Sequence, residues 1–169
     1  ILITNQSYGV PIANIEGDEC LGGAYNNTAR VWDNLTNLYP YYLPVYAGGN
    51  DGSVEYEASP APGFDKLTTN SNSKNLLIVA NAANVVLDGD TGVMTSAIIN
   101  SGSSQGPTDD GRIKPDIAGL GTSIISTAPG NQYGTATGTS MASPNVAGSA
   151  LLLQELYGNL NEDFMLSST

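Results

Sequence analysis

The stretch GTSMASPNVAGSALLLQELYG, residues 138–158, reads as a helix that opens on hydroxyl side chains and runs into an apolar body. Thr139 can cap it, which puts Ser140 in the first turn, where backbone N–H groups are unpaired and the dipole is positive. A serine so placed has its own N–H aimed at any oxyanion formed when its hydroxyl attacks a carbonyl. Pro144 cannot donate to the Ser140 carbonyl, which loosens the turn at little cost so near the helix end. Ala142, Ala147, Gly148 and Ala150 permit close packing inside a core. The same residues also suit a capped helix with no chemistry, and the chain contains no histidine to take a serine's proton.

Outward from this helix, the chain supplies strands. ILIT (1–4) is a short apolar run bounded by Asn5 and Gly9, and VPIANIEGDECLGG (10–23) is loop-like. AYNNTARVWDNLTNLYP (24–40) sets Ala24, Thr28, Val31, Trp32 and Leu35 at helical spacing and stops before Pro40. YYLPVYAGG (41–49) is the next strand, ending in Gly-Gly, where the backbone must turn sharply or approach something closely. Residues 51–73 are polar and proline-containing, and predict a long surface excursion. NLLIVANA (75–82) is a third buried strand, and NVVLDGDTGVMTSAII (84–99) a hairpin around Asp88-Gly-Asp-Thr-Gly. That string also suggests a calcium loop, but the closing Glu of an EF-hand is missing and the turn is preferred. Residues 101–121 read as loop and TSIIST (122–127) as a short strand.

Strands that are apolar throughout, alternating with helices, predict an α/β fold: a mostly parallel sheet with flanking helices. No repeat or linker interrupts the 169 residues, which are enough for one modest core.

Composition narrows the partners. A net charge of −11, with only Arg30, Lys66, Lys74, Arg112 and Lys114 positive, argues against nucleic acid. Cys20 stands alone, so no internal disulfide or thiolate cluster is available. Without histidine, zinc, copper and haem sites are nearly excluded, leaving carboxylate sites for hard cations such as calcium. Apolar runs such as ALLL are far too short to span a membrane. The chain starts abruptly without an initiator Met and stops just past the long helix. Both ends are expected to be cuts through a larger protein.

GTSMASP (138–144) resembles the serine-nucleophile motif of the subtilisin-like proteases over its full length. NVAG follows where that family usually has His-Val-Ala-Gly, so Asn145 departs from the pattern at a position that is not the catalytic histidine. VYAGGNDG (45–52) looks like the family's strand ending in Gly-Asn, which implies that Asn50 is an oxyanion donor. NQSYG (5–9) resembles the segment whose backbone pairs with extended substrate. The resemblance therefore puts Ser7, Tyr8 and Gly9 on one side of a cleft, with Ala47, Gly48, Gly49 and Thr139 as further substrate-binding residues. SKNLLIVANA (73–82) is a weaker version of a common family string. GPTDDGRIKPDIAGLGTSIIST (106–127) is similar to the family's approach to the nucleophile, with Leu120 where a proline is usual.

The resemblance covers nearly the whole chain in family order and implies part of the subtilisin-like three-layer fold. In that arrangement the triad runs Asp, His, Ser, and everything recognisable here follows the His. Residues 1–169 are accordingly expected to be one partial domain, the second part of a catalytic domain, inactive alone. Polypeptide is the implied substrate, secretion the implied location, and no cofactor is required, calcium being open for the intact protein only. Self-association or pairing with the missing half is expected of an exposed sheet edge.

Other readings stay open. A degenerate relative would bind extended peptides without cleaving them. A serine-carboxyl protease also carries Gly-Thr-Ser, but would want Asp rather than Asn50. An α/β-hydrolase elbow would need Gly at Ala142 and a His downstream. A Ser-Lys dyad would have to draw on Lys74 or Lys114.

Overall fold

The computed structural model describes residues 2–15, 21–55 and 64–160. In chain order its elements are β1 (Ile3–Gln6), α1 (Asn27–Leu38), β2 (Leu43–Ala47), β3 (Leu77–Leu87), β4 (Met94–Ile99), β5 (Ile117–Leu120), β6 (Ile124–Ala128), β7 (Gln132–Ala136) and α2 (Thr139–Leu160). Single 3-10 turns occupy Ile12–Asn14 and Thr69–Asn72.

β1, β2, β3 and β5 run parallel, with Val45 opposite Leu77 and Val79 opposite Ile117. β4 returns antiparallel along the far half of β3, and β6 and β7 form a separate hairpin. Successive side chains of a strand point to opposite faces, and both faces of this sheet are covered. Ile3, Val45 and Val79 meet Ala142, Val146 and Ala147 of α2 on one side. Tyr46, Leu76 and Ile78 form the other cluster, against which Trp32 of α1 packs. Two helices around a mostly parallel sheet make the three layers that the apolar strands predict.

Several local expectations are corrected. NLLIVANA and the first arm of the hairpin are one 11-residue strand, β3, with an irregularity between Ala82 and Asn84. The segment 101–121 is not all loop, because β5 lies within it. Its glycines hide the strand: a Cβ on Gly119 would stand 2.8 Å from the Ala142 carbonyl, and one on Gly121 2.5 Å from that of Gly138. They are small because the backbone of α2 lies directly against β5. β6 is the first arm of a hairpin whose second arm, β7, has no apolar alternation to announce it.

α1 starts at Asn27, capped by the Asn26 side chain, which accepts from Ala29 N at 3.1 Å. The face it buries is not the apolar one. Ala29, Asp33 and Thr36 are buried while Val31 and Leu35 are exposed. Asp33 wins its place by bonding, taking the backbone N–H groups of Lys74 and Asn75 at 2.9 Å and the Tyr25 hydroxyl at 2.8 Å.

The stretch 51–73 is not all a surface excursion: residues 53–55 and 64 are exposed, 56–63 lie outside the described residues, and the rest turns inward. Asp65, Lys66, Leu67, Thr68, Ser71, Asn72 and Ser73 are buried. Much of their polarity is met internally, as where Asn72 Nδ2 donates to the Leu67 carbonyl at 3.1 Å and Ser73 Oγ to that of Ala29 at 3.3 Å, while Asn72 Oδ1 is buried without a hydrogen-bond partner among the described residues. Cys20 also lies outside the described residues. The Asp88 loop is a turn: Asp88 Oδ1 accepts from Asp90 N, Thr91 N and the Thr91 hydroxyl. Those bonds hold its carboxyl below the usual carboxylate range.

Candidate active site

The first turn of α2 sits across the ends of β1 and β2. Pro144 lies inside the helix and offers no N–H to the Ser140 carbonyl. That carbonyl is not left bare, because Ser7 Oγ donates to it at 2.9 Å. Ser7 Oγ in turn accepts from Asn5 Nδ2 at 2.9 Å. One turn along, Ser143 Oγ donates to Asn5 Oδ1 at 2.6 Å. The Ser140 hydroxyl makes only a long contact, 3.5 Å, to the carbonyl of Ser7. It is half-buried and faces the cleft rather than serving the helix.

Thr139 does not cap α2 as expected. Its N–H donates to Asn50 Oδ1 at 2.9 Å, its hydroxyl reaches the same oxygen at 3.2 Å, and that hydroxyl accepts from Gly49 N at 3.1 Å. The helix is thus capped from outside by Asn50. Because Oδ1 must face those donors, Nδ2 points the other way, and it has no hydrogen-bond partner among the described residues. Gly138 makes room for the amide, since a Cβ there would come within 3.1 Å of Oδ1.

The loop after β2 is pinned from behind. Ser104 N donates to the Gly49 carbonyl and Ser104 Oγ accepts from Asp51 N, both at 3.0 Å. Gly52 N donates to the Gly102 carbonyl at 3.0 Å, and the buried Lys66 ammonium donates to the Gly52 carbonyl at 2.7 Å. Ser104 and Lys66 escape sequence reasoning. They lie in polar stretches that carry no periodicity, and only their burial marks them.

A pocket opens between these loops, bordered by Tyr8, Gly9, Ala47, Gly48, Gly49, Asn50, Thr139 and Ser140, every residue singled out from sequence except Ser7. Val10, Pro11, Asp51, Thr68 and Ser71 complete it. Its volume of about 120 Å³ is below the roughly 300–1,000 Å³ of small-molecule sites, so it suits one side chain of a larger ligand. Tyr8 stands edge-on to Tyr46 at 5.3 Å between ring centroids. Burial pushes the Tyr46 hydroxyl up to about 12, against the opposing hydrogen bond from Asn70 Nδ2 at 2.6 Å.

The lysines weighed as partners for Ser140 are engaged elsewhere. Lys114, buried, holds Asp116 at 2.7 Å and the Leu76 carbonyl at 3.0 Å, while Lys74 lies over the Tyr25 ring at 4.6 Å. Asn145, at the family's usual histidine position, is exposed on α2, and its carbonyl accepts from Ser149 Oγ. Among the described residues no three His, Cys, Asp or Glu side chains gather as a metal site.

A serine on an α-helical first turn, facing a side-chain amide fixed by that same turn, on a three-layer parallel sheet, is the architecture of a protease of the subtilisin type. The sequence pattern of the subtilase family matches residues 1–166, and the chain belongs to that family. It is 44% identical over 127 residues to a C5a peptidase of Streptococcus pyogenes serotype M3, a match covering 75% of this chain and 10% of the relative. It is 46% identical over 61 residues to a PII-type proteinase of Lactococcus lactis subsp. cremoris, covering 36% of this chain and 3% of that protein. Among solved structures, the prenylagaramide maturation protease PagA superposes with a TM-score of 0.63 at 21% identity, over 95% of this chain and 46% of PagA. The self-cleaved protease domain of PatA gives 0.56 at 23% identity, over 84% and 43% of the two chains. The chain therefore spans a tenth of the C5a peptidase it matches and under half of these solved proteases.

Proposed function

We propose that this chain is the nucleophile-bearing part of a serine endopeptidase. Ser140 attacks the carbonyl of a polypeptide. Asn50 Nδ2 and the Ser140 N–H hold the oxyanion of the tetrahedral intermediate, and the substrate backbone runs extended along Ser7, Tyr8 and Gly9. The proton of Ser140 goes to a histidine that this sequence does not contain, so the isolated chain is expected to be inactive. The whole protein works outside the cytoplasm, a reading with which the acidic composition agrees.

One observation carries this reading above all. Asn50 Oδ1 is tied to Thr139 N at 2.9 Å, which commits the other end of the amide to donate beside Ser140. An Asn serving only as a turn residue would have no need of that bond across the sheet.

The test uses the full-length protein and a denatured polypeptide substrate. Ser140→Ala should abolish cleavage. Asn50→Ala should lower kcat by about 10²–10³ with little change in KM, the cost of removing such a donor in a subtilisin, a member of this same family. Binding of extended peptides with no Ser140-dependent cleavage would instead mark a non-catalytic binding module.

A further inference from the structure

The far half of β3 and the whole of β4 form a hairpin that stands clear of the core. Among the described residues β4 pairs only with β3, and all six of its residues are exposed. Val93, Met94 and Ile98 are each more than half exposed, as is Leu87, which stands opposite Met94. An edge strand carries a row of unpaired N–H and C=O groups, and proteins ordinarily blunt such edges with charge, proline or a covering element. Here neither a charged residue nor a proline interrupts residues 91–106. The run VMTSAII (93–99) has the β-prone, uncharged composition of a segment that pairs readily with another strand.

The flank on which this edge lies follows from β3. The Val79 carbonyl accepts from Gly48 N at 2.9 Å, so this side of β3 faces β2. The Asn81 carbonyl, two residues on and hence on the same side, accepts from Asn100 N at 2.9 Å. β4 therefore runs beside β3 in line with β2, beyond the point where the Asn50 loop leaves it. The two are also tied, because Gly52 N donates to the Gly102 carbonyl and Ser104 N to that of Gly49, both at 3.0 Å. The strand order β1-β2-β3-β4 places the Asn50 loop between this hairpin and the Ser7–Gly9 segment.

We propose that the open edge of β4 is an exosite, which takes an extended, uncharged segment of the polypeptide substrate as an added strand, remote from the bond that Ser140 attacks. The proposal rests on the reading of Ser140 as a peptidase nucleophile. Main-chain pairing supplies the affinity, so the edge asks for β-prone, uncharged residues rather than a fixed sequence. Its position on the Asn50 flank favours substrate as the occupant. A second copy is disfavoured by the mutual repulsion of chains that each carry a net charge of −11.

The experiment measures KM and kcat of the full-length protein on substrates that share one cleavage sequence. One is the short peptide alone, one carries a linked Val/Thr-rich extension, and one carries the same extension interrupted by prolines, which cannot donate to a ladder. The uninterrupted extension should lower KM about tenfold or more, since tethering makes the second contact intramolecular, and should leave kcat unchanged. Met94→Lys with Ile98→Lys should remove that advantage while cleavage of the short peptide stays as it was, and Thr95→Lys serves if that variant does not fold. Equal KM for the two extended substrates, or an advantage that survives in a folded variant, overturns the proposal. A dimer that the same variant dissolves, with KM unmoved, assigns the edge to a second copy and overturns it as well. No cleavage of any substrate, with Ser140→Ala indistinguishable, overturns the peptidase reading instead.

Discussion

Ser7 Oγ donates 2.9 Å to the carbonyl of Ser140, the carbonyl that Pro144 leaves without a helical partner. The substrate-pairing segment and the nucleophile turn are therefore one mechanical unit. Ser7→Ala should cost about 1 kcal/mol of stability, read from urea unfolding. In a Pro144→Ala background the helix regains its own N–H donor and that penalty should shrink, a coupling of at least about 0.5 kcal/mol. Additive losses in the double variant would show that the two features are independent.

Thr139 links Gly49 N to Asn50 Oδ1 through one hydroxyl. Thr139→Val keeps the shape and removes both contacts. Stability should fall by about 1–2 kcal/mol, the cost of leaving the Gly49 N–H without its acceptor. In the full-length protein kcat should fall more than KM rises, since the loss leaves Asn50 Oδ1 held by Thr139 N alone and loosens the amide rather than the substrate site. Steady-state kinetics on one peptide decides this.

Gly121 has no room for a methyl group, with the Gly138 carbonyl 2.5 Å and Ala142 N 2.7 Å from the position of a Cβ. Gly121→Ala should push α2 off β5 at a cost of roughly 1–3 kcal/mol, lowering Tm by about 5 °C or more. Gly148, with nothing within 4 Å, is the control and should tolerate alanine.

Tyr46 is fully buried, and its hydroxyl is pushed from an ordinary 10.0 up to about 12. Between those values the unfolded chain has lost the proton and the folded chain keeps it. Unfolding therefore becomes easier as pH rises: the contribution is whole below pH 10 and gone above about 12. The loss should be on the order of 2 kcal/mol across that window. Tyr46→Phe should flatten the alkaline limb of a stability–pH curve, and an unchanged slope would contradict the assignment.

The far half of α2 exposes Leu152, Leu153, Leu156 and Leu160 by more than half of each side chain. Burying apolar surface of this size favours association. The isolated 169-residue chain should sediment as concentration-dependent oligomers, and Leu152→Glu with Leu156→Glu should shift it toward monomer. A monomer at all concentrations would count against this.

How much could be read in advance followed from which signals are local. The apolar runs at Val45 and Ile78 announced buried strands because both faces of those strands must be covered, whatever covers them. β5 was missed because its glycines answer to the backbone of α2, a partner in space rather than in sequence. α1 was placed, yet its buried face was misjudged, since Asp33 is held by backbone donors forty residues away while Val31 lies outside. The same held at the site. Ser140 and Asn50 were found through a motif, whereas Ser104 and Lys66, which fix the loop between them, have no motif.

The sequence by itself determined the layers of the fold, the helix start at Ser140, and the absence of a histidine within this chain. Those depend on residue type, periodicity and composition, which fold along the chain at short range. Only the tertiary structure decided that Asn50 caps α2 from another loop, that Ser7 replaces the hydrogen bond Pro144 removes, and that Asp51 borders the pocket with no ion pair among the described residues. Each of these is a contact between segments 40 or more residues apart, or the lack of one. Hydrogen-bond satisfaction across such separations is a property of packed geometry, which no local pattern encodes.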